Sequence, residues 1–105
     1  RYSSRLKRPL GWATLDKRRP VLVLTREIMV GRMSTVTVAP VTSTIHGIAT
    51  EVPVGTQNGL EQASAVKCDQ ITTIPFDRLH EQCGWLLQSQ KLALHEAVQA
   101  AFDLV

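Results

Sequence analysis

Cysteine is scarce in this 105-residue chain. There are two, Cys68 and Cys83, neither in a CxxC pair and neither with a histidine at metal-ligand spacing. That argues against a disulfide-stapled scaffold and against a zinc site of the usual ligand spacing. Two buried free thiols in a reducing compartment are the expectation instead. Carboxylates are thin as well: none falls between Met33 and Thr50, and only Asp69 lies in the stretch 64–74. A nuclease that holds a divalent ion on convergent carboxylates is therefore disfavoured, and no metal site is expected. Long apolar runs are missing too. The uncharged segment 33–50 contains five Thr and two Ser, a poor membrane span, and the basic start is not followed by the apolar run of a signal peptide. A soluble, cytoplasmic protein with no membrane partner is expected. GxSxG, GxGxxG, HExxH and a phosphate-binding P-loop are all absent.

What remains is ordinary globular composition, 44% hydrophobic and 20% charged, in a length that suits one domain over 1–105. The net charge of +3 hides an asymmetry. Seven of the twelve Lys and Arg lie in the first nineteen residues, against one acid, Asp16. Two readings stay open: a basic tail that aids solubility, with residues 1–8 flexible, or an attraction for phosphates.

Strand signals dominate the first four-fifths of the chain. Strands are expected over Leu10–Leu15, Val21–Thr25, Thr35–Ala39 and Ala49–Val54. A long β-rich stretch runs from Ser64 to Ile74, with a short strand at Gly84–Leu87. Asp16–Arg19 reads as a tight turn, with Pro20 at the first position of the following strand, where a missing donor is tolerated. Gly31 and Arg32 mark another turn, Gly47 a break, and Gly55–Gly59 a loop. After Ser89, a fair helix cap, Leu94, Ala97, Val98, Ala101, Phe102 and Val105 recur at helical spacing. Leu94, Val98 and Phe102 read as core packing. Short strands ending in one helix suggest a small, strongly curved, mostly antiparallel sheet, closing toward a barrel with the helix over its open side.

The histidines give little chemistry. His95 reads as a surface residue, His80 as structural, and His46 as part of a polar loop. More conspicuous is VAPVTSTIHG, residues 38–47, where a strand ends at Pro40 and Thr42, Ser43 and Thr44 follow. Hydroxyls clustered where a strand leaves a sheet are either plain loop chemistry or hydrogen-bond donors to a bound phosphate or base.

Three motifs together carry a resemblance. RPVLVLTRE (19–27), APVTST (39–44) and CDQITTIP (68–75), in that order, resemble the MazF (PemK-like) family of toxin endoribonucleases over Pro9 to Val105. TREI, ATEVPV, NGL and the AFDL ending are similar to mycobacterial and related actinobacterial members. The chain departs from many members in one place. They follow the first strand with a loop of about a dozen residues, whereas LGWATLD here leads into Asp16–Arg19 only, so contacts attributed to that loop do not carry over.

The resemblance implies a compact SH3-like β-barrel, mostly β with a C-terminal helix, working as a homodimer without cofactor. It implies metal-independent cleavage of single-stranded RNA by 2′-OH transphosphorylation, with a cognate MazE-like antitoxin as partner. The family's catalytic Arg falls on Arg19 and its catalytic Thr or Ser on Thr42. Ser43, Thr44, Asp69 and Gln70 would line the RNA site, and His46 sits where a phosphate contact is plausible. A guanidinium never loses its charge at neutral pH and can fork two phosphate oxygens, which fits Arg19. Trp12 and Trp85 are read as packing residues before stacking ones. The competing readings are a non-enzymatic poison like the gyrase-binding CcdB toxins and a small barrel that binds nucleic acid without cutting it.

Overall fold

In the computed structural model, which describes residues 8–26 and 29–103, seven strands and one helix follow one another. They are β1 (Pro9–Thr14), β2 (Arg18–Val23), β3 (Thr35–Thr42), β4 (Glu51–Val54), β5 (Ser64–Lys67), β6 (Thr72–Pro75), β7 (Leu79–Trp85) and α1 (Lys91–Phe102). The basic segment 1–7, Glu27–Ile28 of the TREI motif and the last two residues, Val105 of the expected helix stripe among them, lie outside the described residues. All pairings are antiparallel, in the order β4-β5-β3-β2-β1-β7, with β6 beside β3.

The curved sheet buries apolar side chains on both faces. Leu10, Leu22, Ala39, Val41, Val52 and Val66 form a core closed by Leu94 and Ala97 of α1. Ala13, Val21, Val23, Val36, Val38, Ile74 and Leu79 form a second. Fully burying one such Leu or Val stabilises by about 1.5–3 kcal/mol, so the strand alternation sets which way each β2 and β3 side chain points. This is the small, barrel-like β fold with a terminal helix that the sequence suggested. No described helix is long and apolar enough to cross a membrane.

Several boundaries move, each for a physical reason. Arg18 and Arg19 are already in the ladder, opposite Thr14 and Ala13, so the turn is shorter than Asp16–Arg19 and Pro20 is the third residue of β2. β3 runs through Pro40 to Thr42 instead of ending at Ala39. Stepping from Val41 to Val38 covers three residues of β3, while its partners step six, from Val66 to Thr72. The three extra residues loop out as the 3-10 turn Cys68–Gln70, which divides the expected 64–74 stretch into β5 and β6.

β7 begins five residues before the expected Gly84. Its ladder with β1 slips between Leu10 and Gly11 and again between Gly11 and Ala13, so no period of two survives in its sequence. Ser89 does not cap α1. It lies in the 3-10 turn Gln88–Gln90, and Gln90 is the cap residue, its Oε1 accepting from Leu87 N–H at 2.9 Å. Leu94 is buried and Val98 packs against the core, but Phe102 is 53% exposed. It stands in the last turn, beside Asp103 in a left-handed C-cap conformation.

Candidate active site

Pro20 opens the site. Leu24 N–H donates to Thr37 O at 2.9 Å, which fixes the phase of the β2–β3 ladder. Hydrogen-bonded positions alternate, so Leu22 opposite Ala39 is bonded and Val21 opposite Pro40 is not. The next bonded position would need an N–H from residue 20, and proline has none. The ladder stops at Val21–Pro40, and β2 and β3 part beyond it. Beyond that last pair, Arg19 of β2 and Thr42 of β3 both line the opening. Pro40 is tolerated by the same phase: its missing donor points toward the edge interrupted by Cys68–Gln70.

A cavity of about 380 Å³ lies where the strands part, within the size range of small-ligand sites. Arg19, Thr42 and Ser43 line it, together with Trp12, Lys17 and the segment Gly59–Gln62. Arg19 also walls a second cavity of about 480 Å³, which holds Gln70, Thr72 and Arg78.

The three cations of the β1–β2 turn have separate surroundings. Lys17 is exposed at the cavity rim. Arg18 donates to Glu81 Oε2 at 2.6 Å and lies over the Trp12 ring at 5.0 Å. Its neighbour Glu81 is held below the usual carboxylate range by a backbone hydrogen bond and by Arg18, against slight desolvation. Arg19 is 24% exposed and its Nη2 donates to Asp16 Oδ2 at 3.2 Å. Its Nε is buried with no hydrogen-bond partner among the described residues. A buried donor without an acceptor costs roughly 1–3 kcal/mol.

Thr42 ends β3, and Thr44 N–H donates to its Oγ1 at 3.1 Å. A hydroxyl has one proton and two lone pairs. With one lone pair engaged by Thr44, the hydroxyl proton is left to be donated elsewhere. Ser43 is exposed beside it at the cavity.

The structure thus brings Arg19, Thr42 and Ser43 to one cavity, and Arg19 and Gln70 to the next. Thr44 acts through its backbone, and its side chain is not among the lining groups. Asp69 is exposed on the Cys68–Gln70 turn and lines neither cavity. His46 is exposed, and its backbone N–H is bound to Glu51. The sequence reading missed Gly59–Gln62 and Arg78. Only the NGL motif at Asn58–Leu60 marked the first, and nothing in the pattern marked the second. Among the described residues, no three His, Cys, Asp or Glu side chains gather where they could hold a metal ion.

The thiols stand apart from the site. Cys68 is fully buried, and desolvation together with Asp69 pushes its pKa up to about 11. Cys83 is half-buried and raised by desolvation. At pH 8 a thiol of this pKa is roughly 0.1% thiolate. An alkylating reagent should therefore leave Cys68 untouched in the native protein and label both cysteines after unfolding, as intact mass would report. Rapid native labelling of Cys68 would contradict the burial.

A small barrel-like sheet closed by one terminal helix is the fold of known toxins. The family model for PemK-like, MazF-like toxins of type II toxin–antitoxin systems matches residues 10–102, and the chain belongs to that family. The chain is 56% identical over 97 residues to an endoribonuclease MazF3 of Mycobacterium tuberculosis, covering 92% of this chain and 94% of the relative. It superposes on the solved Mycobacterium tuberculosis toxin MazF-mt6 with a TM-score of 0.90 at 55% identity, covering 93% of this chain and 99% of that one. In fold it also matches an endoribonuclease solved in complex with its cognate antitoxin from mycobacterial species, with a TM-score of 0.82 at 21% identity. That match covers 97% of this chain and 98% of the other.

Proposed function

We propose that this chain is an endoribonuclease that cleaves single-stranded RNA without a metal and so halts translation and growth. The observation that carries the reading is that Arg19 and Thr42 line one cavity. The RNA supplies its own nucleophile. The ribose 2′-oxygen bonds to phosphorus as the bond to the 5′-oxygen of the next nucleotide breaks. The 2′-OH loses a proton, the 5′-oxygen gains one, and the products end in a 2′,3′-cyclic phosphate and a 5′-OH. No water is consumed and nothing is oxidised.

Charge builds on the non-bridging oxygens as phosphorus becomes pentacoordinate. Arg19, held extended as the residue before proline and paired with Ala13 inside β2, meets that charge. Thr42 donates its hydroxyl proton to the same group. Ser43 sits at the same cavity, and Gln70, with one acceptor and two donor positions, reads a base edge in the second. Thr44, Asp69 and His46 contact RNA from the surrounding rim.

The protein acts as a homodimer in the cytoplasm, one toxin domain per chain. A MazE-like antitoxin silences it by folding an acidic, disordered segment over the basic site. That partner is supported by the antitoxin complex among the structures of this fold.

Oligonucleotides with a single 2′-deoxy sugar test the reading. Cleavage should vanish only where the deoxy sugar lies on the 5′ side of the scissile phosphate, and all-DNA should survive. Cutting at the deoxy position, or intact RNA alongside poisoned gyrase, would overturn it.

A further inference from the structure

The cleavage residues leave one buried charge unexplained. Glu51, the first residue of β4, has a side chain only 3% exposed. An apolar residue would fill that place at less desolvation cost, so the carboxylate needs a reason to be there. Its contacts supply one. Oε1 accepts from Gly47 N–H at 2.9 Å and from His46 N–H at 3.1 Å, Oε2 lies 3.3 Å from His46 N, and Lys67 Nζ stands 3.7 Å from Oε2. Desolvation raises the Glu51 pKa, but the Gly47 and His46 N–H groups and Lys67 more than offset it, so the group stays ionised.

The segment held this way is the one that carries the site. Every residue from Ser43 to Ala49 is exposed, so burial does little to fix it. Gly47 within it takes φ +69°. Glu51 N–H also donates to Ile48 O at 3.1 Å, closing the turn at 49–50, so side chain and backbone of one residue together hold positions 46 to 48. At the other end of the segment Thr44 N–H holds the Thr42 hydroxyl.

We propose that Glu51 is a positioning residue for the cleavage reaction. By clamping the 43–50 segment it keeps Thr44 N–H on Thr42 Oγ1, which leaves the Thr42 proton directed at the phosphate. Releasing the clamp lets the segment drift, and the hydroxyl then spends its proton on whichever acceptor is nearest. The role concerns orientation, so it belongs to kcat. It rests on the endoribonuclease reading above.

The test uses the full chain with Glu51→Ala and Glu51→Gln, a single-stranded RNA oligonucleotide, and amide hydrogen exchange. In Glu51→Ala, kcat should fall roughly 10- to 100-fold, the scale of a small misplacement at a reacting centre, with KM nearly unchanged. Exchange should quicken at Thr44, His46 and Gly47 while amides of the β2–β3 ladder keep their protection. Glu51→Gln retains one acceptor oxygen and should recover part of both. Quickened exchange at Thr44 with unchanged kcat would overturn the proposal. So would loss of protection across the ladder in both variants, which marks a merely structural residue. Should the wild-type chain cut no RNA, the functional reading falls first. The clamp is then judged on exchange alone, where unchanged protection at Thr44 refutes it.

Discussion

Replacing Arg19 by alanine should lower kcat for RNA cleavage about 100- to 1,000-fold, the usual loss when one preorganised donor to a developing charge is removed. The fold should barely notice. Among the described residues Arg19's side chain pairs with Asp16, 71% exposed, and such an ion pair is worth roughly 0–1 kcal/mol. The variant even removes a buried, unpartnered Nε, so Tm should hold. Arg19→Lys keeps a charge but loses the fork and the Nε donor, and should fall between the two. Single-turnover cleavage at saturating enzyme separates these effects from binding. A loss confined to KM would mean that Arg19 gathers RNA without stabilising the transition state.

The second large effect is on stability, at a close backbone crossing. Gly59 and Gly84 cross backbone to backbone. A Cβ built on Gly84 would lie 1.9 Å from the carbonyl oxygen of Asn58, and one on Gly59 2.1 Å from that of Cys83. Neither clash can be relieved by rotating a side chain, because both partners are main chain. Gly59 also has φ +86°, a conformation that disfavours any Cβ.

Gly84→Ala must therefore push β7 away from the turn Thr56–Asn58. That breaks the hydrogen bond from Asn58 Nδ2 to Trp85 O at 3.1 Å and loosens the one to Gln90 Oε1 at 2.6 Å. Overpacking of this kind costs roughly 3 kcal/mol. In a chain of this size that lowers Tm by roughly 12–24 °C. Gly47→Ala is the control: its Cβ would meet nothing within 4 Å, so only the strain of φ +69° remains, about 1–2 kcal/mol. Equal Tm losses in the two variants would show that the crossing is looser than described. Activity should fall with Gly84→Ala as well, because Gly59 to Gln62 line the cavity that holds Arg19.

The sequence showed its motifs more plainly than the geometry around them. Alternation in Thr35–Ala39 and helical spacing from Leu94 to Ala101 are local signals, and both elements appear where those signals lie. β7 was half hidden because two register shifts against β1 erase its period. Cys68–Gln70 looked like strand because it interrupts a ladder on one side only, and a one-sided bulge leaves the flanking residues β-like. Arg19 and Thr42 came from motif resemblance, and no spacing rule relates two residues on different strands. The structure adds that both line one cavity, beside the point where the β2–β3 ladder stops at Val21–Pro40. Glu51 was invisible in sequence because the backbone N–H groups it holds are common to every residue type.

The central claim is that Arg19 and Thr42 serve a reaction whose nucleophile belongs to the RNA. The measurement that meets it most directly is the mass of both fragment ends after a long single-stranded RNA is cut in EDTA. The upstream fragment should end in a 2′,3′-cyclic phosphate and the downstream one begin with a 5′-OH, and both should disappear with Arg19→Ala and with Thr42→Ala. Fragments with a 3′-OH and a 5′-phosphate, or cutting that needs a divalent ion restored, would contradict it.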